Sequence, residues 1–300
     1  MIHGGGKPYH NYKGNDIIDN ELKSGLSCLR VAVWKIAGTA TEWKFVLCPA
    51  IPLTRPFRHG RATGMGILYM IRHGQASFGS ENYDRLSETG RRQARILAEH
   101  LLAIGLSPDA LYAGDMERQK DTAGALVQLG RERGAPLPGL RIETAFNEYS
   151  SRAIILSYAE DLAGEDPSLT TDRKRFYADK KAFQRILEKI LLRWVNGGDG
   201  KPGIPTWEEF RERVASGIKR VIAENGRGRM ILLFTSGGPI SAAVQMALGL
   251  SNEETLRTAW QIANGSVTKF LYNGERISLA SFNETAHLAL RRDPALVTYR

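Results

Sequence analysis

Apolar strands alternating with amphipathic helices from Met65 onward predict an α/β fold, a three-layer α/β/α sandwich with a mostly parallel sheet. Three observations carry this. A buried strand, Ile67-Leu68-Tyr69-Met70-Ile71, opens the segment. A second apolar run, Met230-Ile231-Leu232-Leu233-Phe234-Thr235, reads as a strand covered on both faces. Between them lie stretches whose apolar residues recur at helical spacing.

The elements follow in order. Ser87-Glu88-Thr89-Gly90 leads into a helix predicted from about Gly90 to Ile104, with Ala94, Leu97, Ala98, Leu101 and Leu102 on one face. A short strand at Ala110–Ala113 precedes a helix through Thr122, Leu126 and Leu129, and residues 140–145 read as a third strand. Residues 150–203 form an insertion of different character, holding a basic amphipathic helix from about Asp172 to Val195. Its core stripe is predicted to be Leu187, Ile190, Leu191 and Trp194, and its basic face reads as a solvated surface or a lid over an anionic substrate. Thr206-Trp207-Glu208-Glu209 has capping-box spacing and starts a helix to about Asn225. After the 230–235 strand, Ser236-Gly237-Gly238-Pro239 turns into a helix predicted over Ile240–Leu248. A hairpin, Val267–Tyr272 and Ile277–Phe282 about Asn273-Gly274, closes the pattern.

The first 64 residues read poorly as structure, apart from a strand-like run from Leu29 to Trp34. We expect them to be an N-terminal extension, disordered or not translated, with translation starting at Met65; a small folded module is the alternative. The chain carries a formal charge of +9, and residues 1–64 alone hold nine Lys/Arg against four Asp/Glu. The charge is therefore no argument for nucleic-acid binding. No apolar run approaches the roughly 18 residues of a membrane span, and the N-terminus lacks the layout of a signal peptide. Cys28 and Cys48 match no zinc or redox spacing. A cytoplasmic protein with no nucleic-acid or membrane partner is expected, its oligomeric state unreadable.

Ligands of open α/β sheets bind at the carboxyl ends of strands, near the point where strand order reverses. Arg72-His73-Gly74-Gln75 lies at such an end. An arginine there offers a planar fork for phosphate oxygens, and the adjacent histidine offers a nitrogen that can attack phosphorus.

With these residues in place, the segment from about 65 to 300 resembles the histidine phosphatase superfamily, whose fold is phosphoglycerate mutase-like. Leu68 to Gln75 resembles its signature strand and loop, Leu86 to Ala94 the start of its first helix, and Gly114 to Ala123 its second block. Phe146-Asn147-Glu148 and Thr235 to Ile240 are similar to its remaining active-site segments. The resemblance implies that His73 takes the phosphoryl group, that Arg72 and Arg118 hold its oxygens, and that Glu148 protonates the leaving oxygen. Gln75, Ser236 and Gly237 are the expected substrate contacts, and neither cofactor nor metal is implied. Ser236 departs from the family, which has a second histidine there. The hydroxyl and the N–H groups of Gly237 and Gly238 at a helix start could still hold an oxyanion. His100 reads as a surface residue; His287 reads as part of a turn, with an active-site role as the alternative.

The expectation is a phosphatase hydrolysing phosphomonoesters through a phosphohistidine on His73, with a small phosphorylated molecule as substrate. The alternatives are a phosphoglycerate mutase-type phosphotransferase, and a phosphate-binding pseudoenzyme motivated by Ser236. Ala76-Ser77-Phe78-Gly79 departs from the mutase pattern.

Overall fold

The structure is a computed structural model that describes residues 64–77, 82–135, 137–165, 180–197, 200–274 and 276–299, with backbone alone at 159–163, 165 and 180–185. Two short strands, β1 (Val31–Ala32) and β2 (Phe45–Val46), are also described and pair antiparallel. The chain divides into two compact units, Met1–Thr54 and Arg55–Arg300. The expected disorder of residues 1–64 lies otherwise outside the described residues, as do Lys174 and Arg175 of the basic insertion helix.

The larger unit is built on a six-stranded sheet. Its strands are β3 (Gly66–Arg72), β4 (Ala110–Ala113), β5 (Leu140–Ile142), β6 (Met230–Thr235), β7 (Val267–Tyr272) and β8 (Ile277–Glu284). The order is β5-β4-β6-β3-β7-β8. The first four are parallel and β7 runs antiparallel to both β3 and β8. The mostly parallel α/β sandwich is what the sequence predicts.

β3 and β6 occupy the centre because they are apolar on both faces. Along β3, Leu68 and Met70 enter one core, and Ile67 and Ile71 the other. β6 divides the same way, with Ile231 and Leu233 against Met230, Leu232 and Phe234. One face is covered by α1 (Glu88–Ala103) and α2 (Glu117–Glu132), through Leu97, Leu101 and Leu126. The other carries α3 (Ser151–Glu165), α4 (Lys180–Val195), α5 (Trp207–Asn225) and α6 (Gly237–Leu248). Their contribution includes Ile190, Leu191, Trp194, Phe210 and Ile240. The predicted stripe of α4 is therefore core, with Leu187 packed at its margin.

Several boundaries move. α1 starts two residues early, at Glu88, because the Ser87 hydroxyl accepts from the Gly90 amide and caps it. The 140–145 segment is a strand only to Ile142; Thr144–Phe146 forms a 3₁₀ turn that carries the chain toward Glu148. α6 begins at Gly237 rather than Ile240: proline is tolerated in a helix's first turn, so Gly-Gly-Pro is helical rather than a preceding loop. α5 starts as read, with Thr206 and Glu209 closing a capping box. Two small helices, α7 (Asn252–Ala259) and α8 (Ala286–Ala289), complete the unit.

The site is set by topology. From β3 the chain crosses over to β4 on one side, and from β6 it leaves for β7 on the other. Arg72 and Thr235 end these two strands in register. Connections departing in opposite directions leave a crevice between neighbouring carboxyl ends, where α/β folds hold ligands.

Candidate active site

Arg72 is the last residue of β3 and His73 follows it; strand alternation sends the two side chains toward opposite helical layers. Arg72 reaches the α6 side, where its Nη1 donates to the carbonyls of Ile262 and Tyr299. Its Nε is buried without a protein acceptor among the described residues. Gly237 lies against this nitrogen: a Cβ there would sit 3.8 Å from Arg72 Nε. A buried guanidinium N–H beside the first turn of a helix of 12 residues is a place for an anion.

His73 turns the other way and meets Arg118 of α2. Its Nδ1 lies 2.7 Å from the Gly74 carbonyl. Its Nε2 lies 3.0 Å from Arg118 Nε, a group that can only donate. The carbonyl can only accept, so Nδ1 carries the proton and Nε2 the lone pair; these two bonds assign the tautomer. Burial, and after it the charges of Arg118 and Arg72, hold the imidazole well below the usual histidine range. His73 is therefore neutral at physiological pH, and the electron pair on the nitrogen at the crevice is met by the Arg118 N–H.

The His73 loop is held from three sides. Gly74 N donates to Thr122 Oγ1 at 3.1 Å, and Gln75 N to Gln93 Oε1 at 2.8 Å. Gly265 N donates to the carbonyls of Arg72 and His73 at 3.0 and 3.2 Å. Only glycine fits at position 74, where a Cβ would lie 2.4 Å from the Gly90 carbonyl oxygen of α1.

Arg118 is only 5% exposed, although it stands in the first turn of α2. Beyond His73, its Nη1 pairs with Asp84 Oδ1 at 2.5 Å, and Asp84 Oδ2 takes the Glu117 amide at 2.8 Å. Glu148 approaches from the α6 side. Gly238 N donates to its Oε2 at 3.0 Å and Tyr149 N to its Oε1 at 3.2 Å. Burial raises its pKa, opposed by the Gly238 bond and by the charges of Arg118 and Arg72. A carboxyl group that resists ionisation close to two guanidinium groups is suited to giving up a proton in a reaction.

Ser236 lies between β6 and α6, fully buried, and its Oγ accepts from Gln119 Nε2 at 2.8 Å. The structure thus brings Arg72, His73, Arg118, Glu148, Ser236 and Gly237 to one crevice. Gln75 faces elsewhere: its Oε1 takes the Ser87 hydroxyl at 2.8 Å, at the start of α1. His287 also lies apart, with Nε2 3.0 Å from the Gly265 carbonyl. His100 corrects the surface expectation, being half-buried and stacked on His287 with ring centroids 5.4 Å apart. A contact across so much sequence left no local mark on either residue. Asp84, Gln93 and Gln119 were not singled out by sequence; adjacency of Gln119 to Arg118 was the one available signal. Among the described residues, no group of three or more His, Cys, Asp or Glu could hold a metal ion, and no helix is long and apolar enough to cross a membrane.

No curated protein matches the sequence. Solved structures match the fold. A phosphoglycerate mutase from Bacillus anthracis str. Sterne aligns with TM-score 0.54 at 18% identity, covering 76% of this chain and 97% of its own. A phosphoserine phosphatase from Entamoeba histolytica, in complex with phosphoserine, aligns with TM-score 0.52 at 17% identity, covering 74% and 99%. A mycobacterial glucosyl-3-phosphoglycerate phosphatase aligns with TM-score 0.50 at 21% identity, covering 74% and 100%. At these identities the likeness speaks for the fold. The family model of the histidine phosphatase superfamily (branch 1) matches residues 68–162 and 178–285, well over half of the sequence and spanning every element of the crevice, and this chain belongs to that superfamily.

Proposed function

We propose that this protein is a phosphatase that hydrolyses small phosphomonoesters through a phosphohistidine on His73. The observation that carries the reading is the state of His73: Nδ1 tied to the Gly74 carbonyl, Nε2 unprotonated at the crevice, and the Arg118 guanidinium in contact with it. Two of the structurally similar proteins are themselves phosphatases.

The reaction runs in two displacements. His73 Nε2 attacks phosphorus as the bond to the ester oxygen breaks, and Glu148 delivers its proton to the departing oxygen. Arg118 exchanges Nε2 for a phosphoryl oxygen, while Arg72 Nε and the Gly237 N–H donate to others. Charge on the transferring group is thereby met by fixed donors. Water then attacks the phosphohistidine, Glu148 takes its proton, and the P–N bond breaks to release phosphate and neutral His73. The proton that Glu148 gives up in the first step is replaced by the one it takes from water in the second, so the cycle closes without a co-reactant.

Ser236 favours one alternative, a phosphate-binding protein without turnover, because a hydroxyl stands where the family places a histidine. Hydrolysis of phenyl phosphate by wild type and His73→Ala, with acid-quench trapping of the phosphoenzyme, separates the two. Turnover that vanishes with His73, together with trapped label in wild type, is expected. Equal rates in both proteins would remove the phosphohistidine, and binding of phosphate with no turnover would establish the alternative.

A further inference from the structure

We infer that Gln119 is a positioning residue which fixes the Ser236 hydroxyl as a hydrogen-bond donor into the anion site. The inference rests on the phosphatase reading of the crevice and deepens it. Ser236 occupies the N-cap of α6, where a serine oxygen ordinarily accepts from the amide two or three residues on. Here it makes no such bond. The Gly238 amide is taken by Glu148, and residue 239 is a proline, which has no N–H. The hydroxyl is thereby freed from capping, and its oxygen accepts from Gln119 instead.

The direction of that bond decides the matter. An amide side chain can be turned end for end, so its orientation has to be argued from its partners. The Gln119 nitrogen that faces Ser236 also lies 3.1 Å from the Phe146 carbonyl oxygen, which can only accept. Turned over, the amide would set oxygen against oxygen. The same carbonyl takes the Thr235 hydroxyl at 2.7 Å, which holds it in place. Gln119 therefore donates twice, and Ser236 Oγ is the acceptor. A hydroxyl has a single proton, and with Gln119 behind it that proton must be given elsewhere. Ser236 directly precedes Gly237, which lies against Arg72, and its partner Gln119 directly follows Arg118. The direction left for the proton is the space between the two guanidinium groups, where the phosphoryl oxygens belong. An oriented hydroxyl there supplies a neutral donor at the position where the family has a histidine.

A double-mutant cycle with Ser236→Ala and Gln119→Met, read as kcat and KM on phenyl phosphate, tests this. Removing one donor to the transferring group is expected to lower kcat by about 100-fold, and removing the residue that aims it by a similar factor. The double variant is expected to be no slower than Ser236→Ala alone, because Gln119 acts through the hydroxyl. A merely structural glutamine would give losses that multiply. Should Gln119→Met fail to fold, Gln119→Asn, whose shorter amide cannot reach both acceptors, takes its place in the cycle. Multiplied losses, or an unchanged rate in either single variant, overturn the inference while leaving a His73-dependent phosphatase intact. Absence of His73-dependent turnover in the wild type overturns the proposed function, and this inference with it.

Discussion

Two glycine-to-alanine changes, both inside helices, have opposite expected outcomes. Gly124 lies within α2, and a Cβ added there meets nothing within 4 Å. The change removes backbone entropy from the unfolded chain and should stabilise by about 1 kcal/mol, raising the melting temperature by roughly 2–4 °C with turnover unaltered. Gly238, at the second position of α6, gains the same helical preference, yet its Cβ would lie 2.0 Å from Glu148 Oε1 and 2.8 Å from the Tyr149 ring. Contacts that short force the carboxyl group out, and such overpacking costs on the order of 1–3 kcal/mol. Loss of the 3.0 Å bond between Gly238 N and Glu148 adds about 1 kcal/mol more. The clash outweighs the helical gain, and a net destabilisation of about 2 kcal/mol is expected. The chemical effect should be larger and depend on substrate. Displacing the proton donor removes about 100- to 10,000-fold from kcat/KM for phenyl phosphate, whose leaving oxygen needs the proton. Dinitrophenyl phosphate, whose phenolate departs unaided, should lose far less. Urea unfolding and kcat/KM on the two substrates measure both parts. If Gly238→Ala hydrolyses phenyl phosphate at the wild-type rate, or loses both substrates equally, Glu148 is not the acid and the assignment fails.

Protonation offers three further tests. The active form needs His73 neutral and Glu148 protonated; the first pKa is depressed below 6.5 and the second raised above 4.5. The kcat/KM profile should therefore be bell-shaped, with His73 setting the acid limb and Glu148 the alkaline one, and Glu148→Gln should abolish the alkaline limb; a plateau extending unbroken into alkaline pH would contradict this. Arg118 is among the causes that depress His73, so Arg118→Met should move the His73 imidazole titration to higher pH by NMR, and an unmoved titration would place the guanidinium elsewhere. His287 is held down to about 4 by burial and by His100. Its folded pKa lies below its unfolded value, so the unfolded chain binds the proton first. Its contribution is present above about pH 6.5 and should fade by roughly 3 kcal/mol as pH drops toward 4. Urea unfolding at pH 7 and 4.5 should show a smaller difference in His287→Gln, and an equal one would refute the linkage.

What could be read from sequence was whatever leaves a local signature. β3 and β6 were legible because five consecutive residues in each, 67–71 and 230–234, are apolar, as a doubly covered strand requires. The Thr206–Glu209 capping box and the Asn-Gly hairpin were legible because their partners are close in sequence. Arg72 and His73 were legible because they stand where β3 stops. The start of α6 was not: Gly-Gly-Pro carries turn propensity, and the Glu148 carboxyl group that accepts from the Gly238 amide at this helix start lies 90 residues away in sequence. The site's supporting bonds were equally hidden. Gln119 meets Ser236 across 117 residues, Arg118 meets Asp84 across 34, and His287 meets Gly265 across 22. Such pairs exist only once the sheet has ordered its strands, and a single sequence holds no periodicity that announces them.

The position of Arg118 explains how one side chain can both restrain the nucleophile and serve the reaction. Its Nε donates to a neutral imidazole nitrogen, while its Nη1 stays bound to Asp84, itself anchored by the Glu117 amide. Exchanging the imidazole for a phosphoryl oxygen replaces a neutral acceptor with an anionic one, so the guanidinium gains the attraction of opposite charges in a site shielded from water. The exchange is therefore downhill for the anion that the site is built to take, and unfavourable for neutral molecules that could otherwise reach His73. Because Asp84 fixes the far end of the guanidinium, the motion needed is a small swing of the near end rather than a change of side-chain position. The same cation keeps a proton off Nε2 until that swing occurs. A lysine could hold the phosphate but could not grip two partners at a fixed angle, since its charge is a single point on a flexible stem. Arginine at position 118 is thus required by geometry as much as by charge, and Asp84 is what makes that geometry hold while the partner changes.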